Sequence, residues 1–125
     1  MNTDYADVWS LAHVSWGILL FHLLFVIFGK RHWWFAVITL LVAFAWELLE
    51  NNTWIQSQFR KYGFPDYYGD SARNMVADQV FTLLGFTIAW FGPRWVVLLP
   101  MLNEVIMYLI SGDNTMLTIL RFFKN

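Results

Sequence analysis

The chain has 125 residues, one domain's worth of material, and 58% of them are hydrophobic against 14% charged, where a soluble domain averages about a quarter charged. So short a chain has too much surface for its volume to hide that apolar area from water, which excludes a soluble enzyme or a disordered tail and makes lipid the expected solvent. A net charge of −1 offers no basic footprint for nucleic acid, and the absence of Cys excludes thiol catalysis, disulfides and thiolate metal sites.

Taken in chain order, four apolar stretches approach the roughly 20 helical residues that cross a hydrocarbon core of about 30 Å. The first covers residues 8–28 and stops at Gly29-Lys30-Arg31-His32. No basic residue precedes it and no small-residue cleavage site follows, so it reads as a membrane helix and not a signal peptide. The second covers 33–51; Trp33 and Trp34 open it as an interfacial belt, and Glu47, Glu50 and Asn51 close it. A polar loop is expected over 53–69, long for a connection in a compact protein. The third helix covers 71–91, with Asp70 or Ser71 capping its first amides and Gly92-Pro93 ending it. The fourth covers 94–110, with a kink expected at Pro100 and a stop at Ser111-Gly112-Asp113-Asn114. A tail helix over 115–123 gathers Met116, Leu117, Leu120 and Phe123 on one face, suited to lying along the interface. The expectation is therefore an all-α polytopic membrane protein: one domain, 1–125, of four transmembrane helices plus a C-terminal interfacial helix. A soluble four-helix bundle is the alternative, and the connecting segments carry too little charge to solvate it.

The polar residues collect at one end. Four crossings put both termini on the side of the 53–69 loop, and hairpin counting then gives each side chain a depth. Glu47 and Glu50 close the second helix on that side, His13 lies in the same third of the first, and Asp78 lies about 12 Å inside Asp70 at 1.5 Å per residue. Glu47, Glu50 and Asn51 stand at i, i+3 and i+4 on one face, as do Ser71, Asn74 and Asp78 on another. Gly17 shares a face with His13 and permits close helix approach. A carboxylate facing hydrocarbon costs several kcal/mol unless paired, protonated or hydrated. The economical arrangement turns His13, Glu47, Glu50, Asn51, Asn74, Asp78 and Glu104 inward to one cluster, with Arg60 or Arg73 supplying positive charge.

At these residues the chain resembles a known group. The order Trp46-Glu47-Leu48-Leu49-Glu50-Asn51, then Ile55 and Arg60, then Tyr68-Gly69-Asp70-Ser71, Asn74 and Asp78, then Gly85-Phe86, Glu104 and Asp113-Asn114 with Leu117 is similar to an uncharacterised family of small bacterial inner-membrane proteins. That family is catalogued as a domain of unknown function, and the resemblance covers residues 9–120. It implies a four-helix membrane protein with polar motifs and brings no activity with it. Met75 stands where members tend to carry Ser. A looser similarity to the VanZ-like group is too weak to carry function.

Chemistry follows from residue type. Carboxylates clustered with a His can bind a hard divalent cation through oxygen ligands, which suits Mg²⁺, Mn²⁺ or Ca²⁺ better than softer ions. Crowded carboxylates also raise one another's pKa and so divide into acid and base. Asp78, Glu47 and His13 are the candidate catalytic groups, and Glu47, Glu50, Asp78 and Glu104 the candidate metal ligands. Arg60, Arg73, Asn51, Asn74, Ser71 and Asp70 are candidates for holding an anionic, lipid-like substrate. The competing explanation is a structural polar network, in which each interhelical hydrogen bond contributes only about 0.6 kcal/mol on average. Two further classes stand beside the site reading. A transporter or ion-path subunit needs polar groups right across the membrane, and the far half offers His22 alone. An accessory subunit of a larger membrane complex would use the abundant aromatics as lateral contacts. Gly69-Asp70-Ser71 lacks the strand that precedes a serine nucleophile, and Glu47-x-x-Glu50 lacks the His of a di-iron motif. Counting Lys and Arg gives three at the far end (Lys30, Arg31, Arg94) against five at the polar end (Arg60, Lys61, Arg73, Arg121, Lys124). The acidic N-terminal tail with Lys30-Arg31 directly after the first helix argues the reverse; the first helix usually dominates, and the polar end is expected on the periplasmic side.

Overall fold

A computed structural model describes residues 9–62 and 72–124. All regular structure among them is helical: α1 (Ser10–Phe28), α2 (Phe35–Glu50), α3 (Thr53–Lys61), α4 (Ala72–Phe91), a 3-10 segment (Arg94–Leu98), α5 (Leu99–Ser111) and α6 (Thr115–Lys124). Two segments are long and apolar enough to cross a membrane, Ser10–Phe28 and Arg94–Ser111, and α2 with α3 makes a third if that bent pair is one span. Helix α4 has 20 residues, about 30 Å, but its first two turns carry Arg73, Asn74, Asp78 and Gln79, which lower its apolarity below the other two.

Helices α1 and α4 form the central pair. A methyl group added at Gly17 would strike the carbonyl of Thr82, and one added at Gly85 would strike that of Val14. The two backbones therefore touch, which small residues alone permit. Towards the other end the same pair fills with rings. Phe21 packs against Phe35, Phe86 and Trp90 at centroid distances of 6.2, 5.6 and 5.9 Å, all edge-on, the geometry that the ring quadrupoles prefer. Ile18, Leu24, Ala89 and Val96 complete this core.

Helix α2 joins the bundle along a narrow stripe in which Phe35, Thr39 and Glu47 are buried, while Val37, Leu41, Val42, Phe44, Trp46, Leu48 and Leu49 face outward. An apolar exterior of that kind suits a helix whose other side meets lipid. The turn from α1 to α2 is set by Gly29, whose φ of 78° is a left-handed cap that other residues resist; its N–H bonds to the Phe25 carbonyl at 2.8 Å.

The structure changes two sequence expectations. The stretch read as loop from Thr53 opens as helix α3, bent 74° from α2. Asn52 starts it: the residue is extended, and its Oδ1 accepts from the amides of Trp54 at 2.9 Å and Ile55 at 3.4 Å. Residues 63–71, which hold the remainder of that loop and the expected cap at Asp70 or Ser71, lie outside the described residues. Pro100 makes no kink inside a helix, because it sits in the first turn of α5, where its missing N–H costs nothing. The carbonyl it would have left free, that of Val96, instead accepts from the Leu99 amide as the 3-10 segment closes. The tail is helical as expected, and Met116, Ile119, Leu120 and Phe123 are exposed, whereas Thr118 is buried and Thr115 and Arg121 are partly covered.

Candidate functional site

Three helices bring titratable groups to one end of the bundle. His13 lies one turn into α1, Asp78 six residues into α4, and Glu47 one turn before the end of the antiparallel α2. Side chains lean towards the N-terminus of their own helix, so Asp78 leans outward and Glu47 inward, and the two meet at one level. His13 Nε2 is 3.3 Å from Asp78 Oδ2. One ligand atom each of His13, Glu47 and Asp78 lies within 4.8 Å of the other two. Glu47 is 1% exposed and Asp78 4%. Two carboxylates that close repel when both are ionised, by about 3–4 kcal/mol even at an effective dielectric of about 20, so the geometry suits a cation between them.

The surroundings hold these three in place. One turn below His13 and Asp78, at i+4 on each helix, stand Gly17 and Thr82, the point at which the two backbones touch. The Thr82 hydroxyl, fully buried, donates to the Asp78 carbonyl at 2.9 Å. On the outer side the Asn51 amide donates to the Glu47 carbonyl at 2.8 Å and to the Met75 sulfur at 3.6 Å, tying the end of α2 to α4. Asn74 is buried one turn beyond Asp78. Asn74, Asp78 and Thr82 thus form a polar stripe at i, i+4 and i+8. That spacing was legible, yet Thr82 escapes a search confined to ionisable groups.

The other expected participants stand elsewhere. Glu50 is half-buried one turn beyond Glu47, outside the group of three. Arg60 lies in the last turn of α3 and is partly buried; Arg73 lies in the first turn of α4 and is exposed. Asp70 and Ser71 fall outside the described residues. Glu104 does not join the cluster, because its carboxylate accepts from the Met116 amide at 3.0 Å and its carbonyl from the Asn114 side chain at 3.3 Å. The first amides of α6 lack intrahelical partners and sit at the positive end of the helix dipole, so a nearby carboxylate is drawn there. Asn103, beside it, donates to Ser15 Oγ at 2.9 Å and to the Leu11 carbonyl at 3.3 Å, joining α5 to α1. Nothing in its spacing marked it.

A family model described as a protein of unknown function (DUF2585) matches residues 2–124. The chain belongs to the DUF2585 family. Among curated proteins it is similar to UPF0314 proteins of bacteria. The one from Brucella anthropi is 34% identical over 123 residues, 92% of this chain and 60% of the relative. That from Paracoccus denitrificans is 35% identical over 92 residues, 72% of this chain and 48% of the relative. One from Rhizobium etli is 30% identical over 118 residues, 92% and 60%. The chain thus spans about half to three-fifths of the length of the relatives it matches. No solved structure matches it. The DUF2585 match takes in His13, Glu47 and Asp78, and the resemblance to an uncharacterised family read from the motifs stands; the family's description assigns no activity to them.

Proposed function

We propose that this DUF2585 chain is a multi-pass protein of the bacterial inner membrane that holds a divalent cation between His13, Glu47 and Asp78. The cation, near one membrane interface, acts on or binds an anionic, lipid-like substrate. The observation that carries the reading is the approach of three ligand atoms within 4.8 Å on three different helices, two of them from carboxylates at least nine-tenths buried. A cation relieves their mutual repulsion and leaves its remaining coordination positions for water or substrate oxygen. Arg60 and Arg73, at the same end, are suited to draw an anionic headgroup towards it.

In this reading α1, α2, α4 and the 94–111 segment are the four crossings, and the site faces the periplasm. Lys30, Arg31 and Arg94 at the opposite end are exposed, and the residues from 14 to 46 and from 79 to 103 contain no carboxylate. What supports this orientation is that Lys30-Arg31 directly follows the first helix, whose flanks usually set it, set against a larger Lys and Arg count at the site's own end. The edge-on packing of Phe21, Phe35, Phe86 and Trp90 beneath the site favours a one-sided pocket over an ion path.

Metal analysis of the detergent-purified protein tests this reading. One divalent ion per chain is expected in the wild type, with loss in both Asp78→Ala and Glu47→Ala while helicity and elution volume hold. Metal-free wild-type protein that also fails to bind added divalent ions would sink it. The broad apolar exterior of α2 supports a second reading, an accessory subunit of a membrane complex. A fixed partner at unit stoichiometry after gentle extraction would favour that one.

A further inference from the structure

Resting on that site reading, we infer that the ion is a first-row transition metal, with Mn²⁺, Fe²⁺ or Zn²⁺ bound ahead of Mg²⁺ and Ca²⁺, and that His13 is the ligand that makes the choice.

The donor set comes first. One of the three ligand atoms is an imidazole nitrogen and two are carboxylate oxygens. Mg²⁺ and Ca²⁺ are hard ions that take oxygen almost exclusively, whereas imidazole suits Fe²⁺ and Zn²⁺; Mn²⁺ accepts carboxylate and imidazole together, and affinity rises from it along the first row. An all-oxygen trio in this place would discriminate little between Mg²⁺ and Mn²⁺; the imidazole tilts the choice towards the transition metal.

Ligand number and spacing point the same way. Ca²⁺ requires six to eight oxygens at about 2.3–2.6 Å from flexible loops. Here the three ligands come from the interiors of three helices, and the closest pair cannot spread. His13 and Asp78 stand one turn above the place where Gly17 presses on the Thr82 carbonyl, so the α1–α4 distance is fixed by backbone contact. The Thr82 hydroxyl bonded to the Asp78 carbonyl stiffens the same turn. Separation of the His13 nitrogen and the Asp78 oxygen is 3.3 Å. Two neighbouring ligands on a small ion with bonds of about 2.0–2.2 Å lie roughly 3.0–3.5 Å apart. The His13–Asp78 pair therefore already stands at the spacing of neighbouring ligands on a small ion, with Glu47 within 4.8 Å of both. The His13 ring nitrogen that now faces Asp78 would be the one to hold the ion.

The test uses the intact protein in detergent. Wild type is titrated with MnCl₂ alone and then with MgCl₂ or CaCl₂ as competitor, with bound Mn²⁺ read by electron paramagnetic resonance. Mn²⁺ should stay largely bound against about a hundredfold excess of either competitor. Pulsed measurements on the bound ion should show ¹⁴N coupling from the His13 ring, a signature that needs no variant. His13→Asp, checked for helicity and elution volume, should lose the ¹⁴N signal and at least about tenfold of the preference for Mn²⁺ over Mg²⁺. Saturable Mn²⁺ displaced by Mg²⁺ at equal concentration, or bound without ¹⁴N coupling while Asp78→Asn abolishes binding, overturns the selectivity and leaves the site standing. Absence of saturable binding by any of these ions in the wild type overturns both.

Discussion

Glu47, Asp78 and Glu104 are three carboxylates of similar apparent depth in the sequence, and they have different employments. The first two face each other across His13; the third caps a helix. Their substitutions should separate accordingly. Glu104→Ala removes the acceptor for the Met116 amide, and loss of such a cap costs about 0.5–2 kcal/mol. The expected result is a lowered thermal midpoint and faster hydrogen exchange at the first amides of α6, with ion binding unchanged. Loss of bound metal in this variant would return Glu104 to the site. Hairpin counting was enough to put His13, Glu47 and Asp78 at the same end, because depth along a helix is fixed by rise per residue; their common level comes from the opposite lean of side chains on antiparallel helices. It was not enough for Glu104, whose role depends on how the chain doubles back after Gly112, a left-handed turn at φ 75° that rise per residue does not encode.

At the scale of elements, the contact of α1 with α4 governs both stability and the site. Gly17→Ala places a methyl against the Thr82 carbonyl, and overpacking of this kind typically costs 1–3 kcal/mol. The helices must part just below His13 and Asp78, so Gly17→Ala should lower the unfolding temperature and weaken ion affinity together. Gly29→Ala alters a turn at the opposite end, where an added methyl meets open space; it should cost backbone strain and leave the affinity unchanged. Equal affinity in Gly17→Ala and wild type would show that the backbone contact does not set the ligand spacing. The long apolar helices were readable from composition and turn signals. Helix α3 was not, because its nine residues have no long apolar run, and it depends on the cap from Asn52 and on its neighbours. Pro100 misled for a related reason: a proline breaks a helix interior but begins a helix readily, and the 3-10 segment shifted the start of α5 to meet it.

For the whole molecule, the division of charge is the feature that composition alone conceals. The net charge of −1 is the sum of a carboxylate-free stretch at each apolar turn and an acidic opposite end. The chain has no Cys, so single introduced cysteines report topology cleanly. Arg31 and Thr53, both exposed, bracket α2. In intact cells with a permeabilised outer membrane, an impermeant maleimide should label Thr53→Cys and spare Arg31→Cys. The reverse pattern inverts the orientation, and labelling of both denies that α2 crosses.

The C-terminal helix turns Met116, Ile119, Leu120 and Phe123 away from the protein and Thr118 towards it, with Asp113 and Arg121 paired alongside. In a globule bathed by water such a helix would be mounted inside out. On the membrane reading proposed above, hydrocarbon packed against those four side chains would supply the missing half of its footing, and the surrounding bilayer would behave as one more component of the tertiary structure.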